Sequence, residues 1–532
     1  MKAKWRLLPP LVVIGAMAVP ASNVARGVYA TRAGLAPDGI VASTGSRVNV
    51  SSCVKIGGIE DSGQKNSLDP ANQPSSQNSL MVNAMYNRLM DLDSNFAPHP
   101  ELATDWSSNK AGTVWTFHLR HGVTFSDGHP FTSADVVWTF RRLIDPAVKS
   151  EAAATLTFLN AAGIIAQDPY TVVFKTQKPV SELPVAISTK NTYIVENGYT
   201  TAKLRTGGVG TGPFIPVKFQ PVQQVHLFVK NPHYWEAGLP KAPCLAFYVI
   251  QEATTRNAAL DSGQIDVAQQ VDFSTLPALQ RDSHIRLLKT GASTSMTLPM
   301  WVDTPPFKDN RVREALKLVV NRQQMINTVL LGQGEAGDDN PIPPSSPYAW
   351  RHQAQQQDIP RAKKLLAAAG YGPNHPLKVD LYTAEMIPGA VNMAQVYKQM
   401  AALAGVQVNV IVGPASEYWD NVWLKHPFEM SGWNARPPNE ALTIAYGCKA
   451  AYPETHWCVP GYDALIAKAT STVDAAARRN LYQQAAKMLS LQGGEIIPVF
   501  VYTIAAERVQ CTGYTPRVQL YRGDYRYVHC SG

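Results

Sequence analysis

The stretch Trp115-Thr116-Phe117-His118-Leu119-Arg120-His121-Gly122-Val123-Thr124-Phe125-Ser126-Asp127-Gly128, running on to Phe131-Thr132-Ser133-Ala134-Asp135-Val136-Val137, sets the architecture of the chain. Trp115, Phe117 and Leu119 fall on one face of an alternating run, as a half-buried strand requires. Gly122 and Asp127-Gly128 mark turns after it. Thr132 followed by Asp135 has the form of a capping box, which predicts a helix carrying Val136, Val137 and Phe140. The same alternation of elements continues outward. Val225, Leu227 and Val229 read as a strand. Asp309 precedes a helix with Val312, Ala315, Leu316 and Val319 on one face. Asp358 caps another, with Pro360 in its first turn, Leu365 and Leu366 on its apolar face and Gly370 as its stop. Leu481, Tyr482, Ala485, Met488 and Leu489 mark a late helix, and Ile496 to Ala506 a buried strand. Mixed strands and helices without an internal repeat predict α/β lobes.

At 532 residues and 45% hydrophobic content the chain can bury more than one core. Its N-terminus has the form of an export signal: Lys2, Lys4 and Arg6, then an apolar run from Leu7 to Val19, too short to span a bilayer. Cleavage is expected after Ala21 or Ala30. No cysteine follows this run closely, the first being Cys53, which favours a protein free in a Gram-negative periplasm over a lipoprotein. The formal charge falls from +8 to about +5 once Lys2, Lys4 and Arg6 leave. What remains forms no Lys/Arg stripe, so nucleic acid is not an expected partner, while a mild attraction for anionic solutes remains.

Six cysteines in an exported chain favour disulfides over metal ligation, and no Cys-x-x-Cys pair supports zinc. Cys448 and Cys458 are close enough to clip one loop, and Cys511 and Cys530 to tie the C-terminal tail. Cys53 and Cys244 then remain for each other, although spacing alone does not fix the pairing.

Several stretches, taken in order, resemble one family. They are Asn87-Arg88-Leu89 with Leu102-Ala103-Thr104-Asp105-Trp106, the opening stretch, and Gly210-Thr211-Gly212-Pro213-Phe214 with Asn231-Pro232-His233-Tyr234-Trp235. Ala259-Leu260-Asp261-Ser262-Gly263-Gln264-Ile265-Asp266-Val267 and Arg311-Val312-Arg313-Glu314-Ala315-Leu316 follow. This set is similar to the family 5 solute-binding proteins of ABC importers, the peptide, opine and nickel receptors, from about residue 47 to the C-terminus. The resemblance implies a class II periplasmic-binding-protein fold of two lobes joined by a hinge, with a subdomain inserted in the first lobe. On that template residues 1–30 are the signal peptide and 31–46 a flexible leader. Residues 47–88, 205–293 and 501–532 form the first lobe, 89–204 the inserted subdomain, and 294–500 the second lobe. The hinge crossings fall near Thr294 to Pro305 and Glu495 to Phe500. Peptide-binding relatives carry disulfides that resemble Cys53–Cys244 and Cys448–Cys458.

The resemblance also locates candidate ligand residues. Peptide-binding relatives use a Trp-x-x-Asp motif to hold a free ammonium, since a buried ammonium needs an opposite charge. Here the segment reads Gly432-Trp433-Asn434-Ala435-Arg436-Pro437-Pro438, with Arg436 where the acid is expected. The arginine expected to hold a peptide carboxylate is missing from Tyr382 to Gly389. Arg436 in the cleft suits a carboxylate or phosphate; the alternative is that it braces its loop through Glu440. Trp433 and Asn434 are expected beside it. Ser75, Ser76 and Gln77, after Leu68-Asp69-Pro70, match the family's first-lobe ligand loop, or are ordinary loop polars. Tyr418 and Trp419 are expected in the core.

These residues point to a monomer that captures a small peptide-derived, opine-like or other anionic or polyhydroxylated solute and delivers it to inner-membrane permease subunits, without a cofactor. The alternatives are a di- or oligopeptide receptor, a metal-chelate receptor, and a sensor for a chemoreceptor. An enzyme has no support: no His-Glu-x-x-His, Gly-x-Ser-x-Gly or phosphate loop occurs. His118 and His121, the tightest histidine pair, would point to opposite faces of a continued strand, so no metal ligand set is expected.

Overall fold

A computed structural model of the chain describes residues 40–41, 47–48, 50–58, 66–73, 76–153, 155–217, 219–220, 225–350, 356–519 and 523–531. The expected signal peptide, 1–30, lies outside them. Within the expected leader, Ile40–Val41 pairs antiparallel with Arg47–Val48. No helix among the described residues is long and apolar enough to cross a membrane.

Nine strands form the central sheet. Phe214–Pro216, Val225–Lys230, Cys244–Val249, Val54–Gly58 and Val267–Ala268 lie in that order, followed by Glu495–Arg508, Ile285–Pro299 and Ser431–Asn434, while Gly334–Ala336 also pairs with Glu495–Arg508. Val54–Gly58 runs parallel to both its neighbours, and the remaining pairings are antiparallel. Two strands dominate. Ile285–Pro299 and Glu495–Arg508 pair from Ile285 opposite Arg508 to Pro299 opposite Glu495, with register shifts between Lys289 and Leu298. At about 3.3 Å per residue each reaches roughly 45 Å, long enough to belong to both lobes.

The strand Val114–Leu119 buries Trp115, Phe117 and Leu119 as its alternation predicts. It lies in a separate four-stranded antiparallel sheet, in the order Ala103–Ser108, Val114–Leu119, Thr171–Lys175, Ile164–Asp168. The helix Ser133–Ile144 packs on that sheet. At its start the Asp135 carboxylate accepts the Thr132 backbone N–H at 2.8 Å and the Asn197 N–H at 2.9 Å. Phe117, Phe140 and Phe174 meet edge to face in a core of their own. The end of the expected insert departs from this pattern: Tyr193, Val195 and Leu204 join the core around Ile56, Phe228 and Phe247. In the strand Val225–Lys230, Phe228 is buried on the face opposite Leu227, because the strand has apolar neighbours on both sides.

Two further cores involve the later part of the chain. One joins Leu316, Tyr397 and Phe428 to Leu260 and Ile265, so packing is continuous across position 293. The other gathers Leu442, Tyr462, Tyr482 and Leu489. The helices Asn310–Leu318, Ile359–Ala368 and Ala475–Gln492 are N-capped by Asp309, Asp358 and Asp474.

One motif gains a physical reason. A Cβ on Gly210 would lie 2.0 Å from the Met85 carbonyl oxygen, and one on Gly212 would lie 2.3 Å from the Met85 carbonyl carbon. Only glycine lets the segment Gly210–Phe214 run this close to the end of the helix Ser76–Met85.

The disulfides are Cys53–Cys244, Cys448–Cys458 and Cys511–Cys530, with sequence separations of 191, 10 and 19. In the chain-entropy model the first closes the costliest loop. Replacing both cysteines by serine should therefore lower unfolding stability by about 5 kcal/mol for Cys53–Cys244 and about 3 kcal/mol for Cys448–Cys458, read by urea unfolding of the oxidised protein. A larger loss for the short loop contradicts this order.

Candidate functional site

Ser431–Asn434 is the edge strand beside Ile285–Pro299, with Trp433 opposite Ser295 and Asn434 opposite Thr294. Gly432 permits the pairing: a Cβ there would sit 2.9 Å from the Ser295 carbonyl oxygen and 2.2 Å from Ile387 Cδ1. Beyond the strand, the Ala435 N–H donates to Ser293 O at 2.7 Å, which directs the chain along the long strands. Pro437 and Pro438 then start the short helix Pro438–Thr443, with Glu440 in its first turn.

A cavity of about 170 Å³, open to solvent, lies against this segment. Its walls come from several regions. Ala292, Thr294, Ser295 and Phe500 belong to the paired long strands; Trp433, Asn434, Arg436 and Tyr446 to the strand Ser431–Asn434 and the segment after it; Ser94, Asn95 and Phe96 to the turn after Met90–Leu92, with Val518 from the C-terminal part of the chain. Pro341 to Pro343 with Ser345 and Ser346 also line it. Arg436 is the one charged residue among the described residues that line it.

Arg436 lies at this cavity and beside Glu440. The guanidinium forms an ion pair with Glu440 through Nη1, lies 5.4 Å from the Trp433 ring centroid, and leaves Nε buried without a protein partner. Trp433 turns its indole N–H away to Glu454 Oε2, at 2.8 Å. Ser76 and Gln77 open the helix Ser76–Met85, and Ser75 lies outside the described residues. The loop before them is fixed through Asp69, whose carboxylate holds Arg142 in a buried bidentate pair.

The segment Tyr382 to Gly389 has a different task from holding a carboxylate. Glu385 accepts the N–H groups of Gly389 (2.6 Å) and Val391 (3.2 Å), capping the helix Ala390–Ala402. Tyr418 is buried and donates its hydroxyl to Met430 O at 2.6 Å. Trp419 corrects the expectation of a core role: it is 42% exposed and meets Trp423 edge to face. The helix Tyr418–Asn421 is a single turn, so turning Tyr418 inward leaves its neighbour at the surface. His118 and His121 do not converge; the first pairs with Asp105 at 2.5 Å and the second lies tilted against Tyr170, with ring centroids 3.9 Å apart.

Sequence reasoning missed Ser94, Asn95 and Phe96. They form the tip between the strands Met90–Leu92 and Pro98–Pro100, where Asp93 Oδ1 accepts the N–H groups of Asn95 (2.8 Å) and Ala97 (2.9 Å). Phe96 adopts φ 61°, a conformation unusual for an aromatic residue. The signal available was the turn-forming run Asp93-Ser94-Asn95.

A model of the bacterial extracellular solute-binding proteins, family 5 (its middle part), matches residues 97–452. The chain belongs to this family. The solute-binding protein is 27% identical over 427 residues to di/tripeptide-binding protein 1 of Pseudomonas aeruginosa, covering 74% of this chain and 79% of that one. It is 25% identical over 463 residues to the glutathione-binding protein GsiB of Escherichia coli K12, covering 84% and 89%. Its fold matches that of the ABC transporter substrate-binding protein CtaP from Listeria monocytogenes, with a TM-score of 0.78 at 18% identity over 90% of this chain and 99% of that one. The architecture is thus the two-lobed one expected, shared with family 5 binding proteins.

Behind Trp433 the interior of the solute-binding protein is acidic. Glu429, Glu454 and Glu495 are fully buried. Burial, partly offset by the Leu424 N–H on its carboxylate and reinforced by nearby Glu454, pushes the Glu429 carboxyl up to about 8. The folded state therefore keeps a proton that the unfolded chain loses above about 4.5, and the stability this contributes is lost as pH rises through about 8. At pH 6.5, unfolding should release about one more proton from the parent than from Glu429→Gln, read by calorimetry in buffers of different ionisation enthalpy. Equal release from both contradicts the assignment.

Proposed function

We propose that this protein is the substrate-binding component of an ABC importer, exported to the periplasm, and that it takes a small solute with an acidic group and an apolar or polyhydroxylated body. Peptide-derived and opine-like compounds fit that description. The observation that carries the reading is the cavity wall: aliphatic, aromatic and neutral polar groups, with Arg436 as the charged contact. Arg436 engages Glu440 through Nη1, and its side chain, 28% exposed, lines the cavity where a carboxylate can meet the guanidinium. No acid among the described lining residues is placed to meet an ammonium, which disfavours a plain dipeptide held by its charged ends. The relatives named for di/tripeptides and for glutathione support a peptide-derived solute.

The protein acts by binding and not by covalent chemistry. Walls contributed by both lobes and by the paired long strands favour closure about those strands. A solute drives closure only if it binds the closed form more tightly than the open one, and the closed form then docks on the permease.

Titration calorimetry with Ala-Phe, N-acetyl-Ala-Phe and reduced glutathione tests the reading. N-acetyl-Ala-Phe, an acid without an ammonium, should bind at least as tightly as Ala-Phe. Arg436→Ala should weaken its binding by about 30-fold or more, the usual cost of removing a desolvated charged partner. The empty variant should melt within about 2 °C of the parent, since only a part-exposed pair with Glu440 is lost. Tighter binding of Ala-Phe, or equal affinities in variant and parent, contradicts the proposal.

A further inference from the structure

Glu454 lies in the loop closed by Cys448–Cys458 and is fully buried. Its carboxylate gathers three donors from two other segments: the indole N–H of Trp423 at 2.6 Å, the indole N–H of Trp433 at 2.8 Å, and the Ser431 hydroxyl. Burial raises its pKa, and these three hydrogen bonds oppose the rise. The rings around it form one aromatic group. Trp423 lies 6.1 Å from Trp433 and 5.1 Å from Tyr452, and Tyr452 lies 5.8 Å from Trp433.

We infer that Glu454 is the positioning residue of the cleft, fixing Trp433 so that the wall offered to the solute is a ring without a free donor. The inference rests on the cleft reading above, because it concerns what the Trp433 wall can recognise. A free tryptophan edge would select a hydrogen-bond acceptor. With its N–H engaged by Glu454, Trp433 selects by stacking: an amide plane, an aromatic ring or the C–H face of a sugar suits it. The solute's polar groups are then met by Asn434 and Arg436, which line the same cavity. The Arg436 guanidinium near the Trp433 ring also disfavours a cationic group at that wall.

A carboxylate is required for this arrangement. Trp423 donates to Oε1 and Trp433 to Oε2. A glutamine has one acceptor oxygen and one NH₂, so in either orientation one indole N–H would face another donor. The Cys448–Cys458 clip holds the acid in place from a part of the chain 21 residues beyond Trp433.

The test uses the full mature, oxidised chain with ¹⁵N-labelled tryptophan, without solute. Trp433→Phe and Trp423→Phe assign the two indole signals, and exposed Trp419 serves as the internal reference. Both assigned N–H groups should exchange with deuterium at least about tenfold more slowly than that of Trp419. Glu454→Gln should return at least one of them towards the Trp419 rate, whereas Ser431→Ala, which removes only the third donor, should leave both protected. If Glu454→Gln fails to fold, the parent and Ser431→Ala spectra still decide the matter. A Trp433 signal exchanging like Trp419 in the parent overturns the inference, as do two signals unchanged by Glu454→Gln. Because the measurement needs no ligand, its failure is distinct from failure of the solute titrations.

Discussion

The antiparallel pairing of Ile285–Pro299 with Glu495–Arg508 is the constraint on which the rest of the molecule depends. One end of this ribbon meets the first-lobe strands through Val267–Ala268, and the other end carries Ser431–Asn434 and Gly334–Ala336. Residues 300 to 494 leave and return between its two strands. The ribbon also supplies the wall of the cavity where the lobes approach, through Ala292, Thr294, Ser295 and Phe500. Its interrupted register between Lys289 and Leu298 lies beside that wall. Bulged pairing is a common way for a sheet to bend and re-aim side chains, and here it lies where closure would act.

A second constraint is the buried acid behind Trp433. A carboxylate that accepts two indoles and a hydroxyl gives Trp433 a fixed orientation at the cavity. Three covalent clips act around this frame. Cys53–Cys244 ties neighbouring parallel strands of the first lobe, Cys511–Cys530 ties cross-strand partners in the tail, and Cys448–Cys458 ties the loop that carries Glu454. Binding proteins need a stiff wall to gain affinity from a small solute, because each side chain ordered on binding costs free energy.

Much of this was legible in the sequence, for identifiable reasons. The strand Val114–Leu119, the helix begun at Thr132 and the helices capped by Asp309 and Asp358 follow from local patterns that tertiary packing did not override. The placement of Trp433, Asn434 and Arg436 at one cavity came from the family motif. For Arg436 the sequence left two alternatives open, the cleft or a brace to Glu440, and the side chain lies at both. Ser94, Asn95, Phe96 and Val518 were not legible, because loops reach the site through tertiary folding and carry no periodicity. Trp419 was misjudged because a one-turn helix has no second turn to show which side faces the core. Glu454 gave no local signal, since its donors are 21 to 31 residues away.

The central claim is that a solute lies against Arg436 and Trp433 in the cavity they line, and a crystal structure of the protein with the compound it retains on purification from its source tests this most directly. The expected result is an acidic group within hydrogen-bond distance of Arg436, with a flat or apolar part of the compound against the Trp433 ring. A compound bound elsewhere, or one that places a cationic group against Arg436 and Trp433, would contradict it.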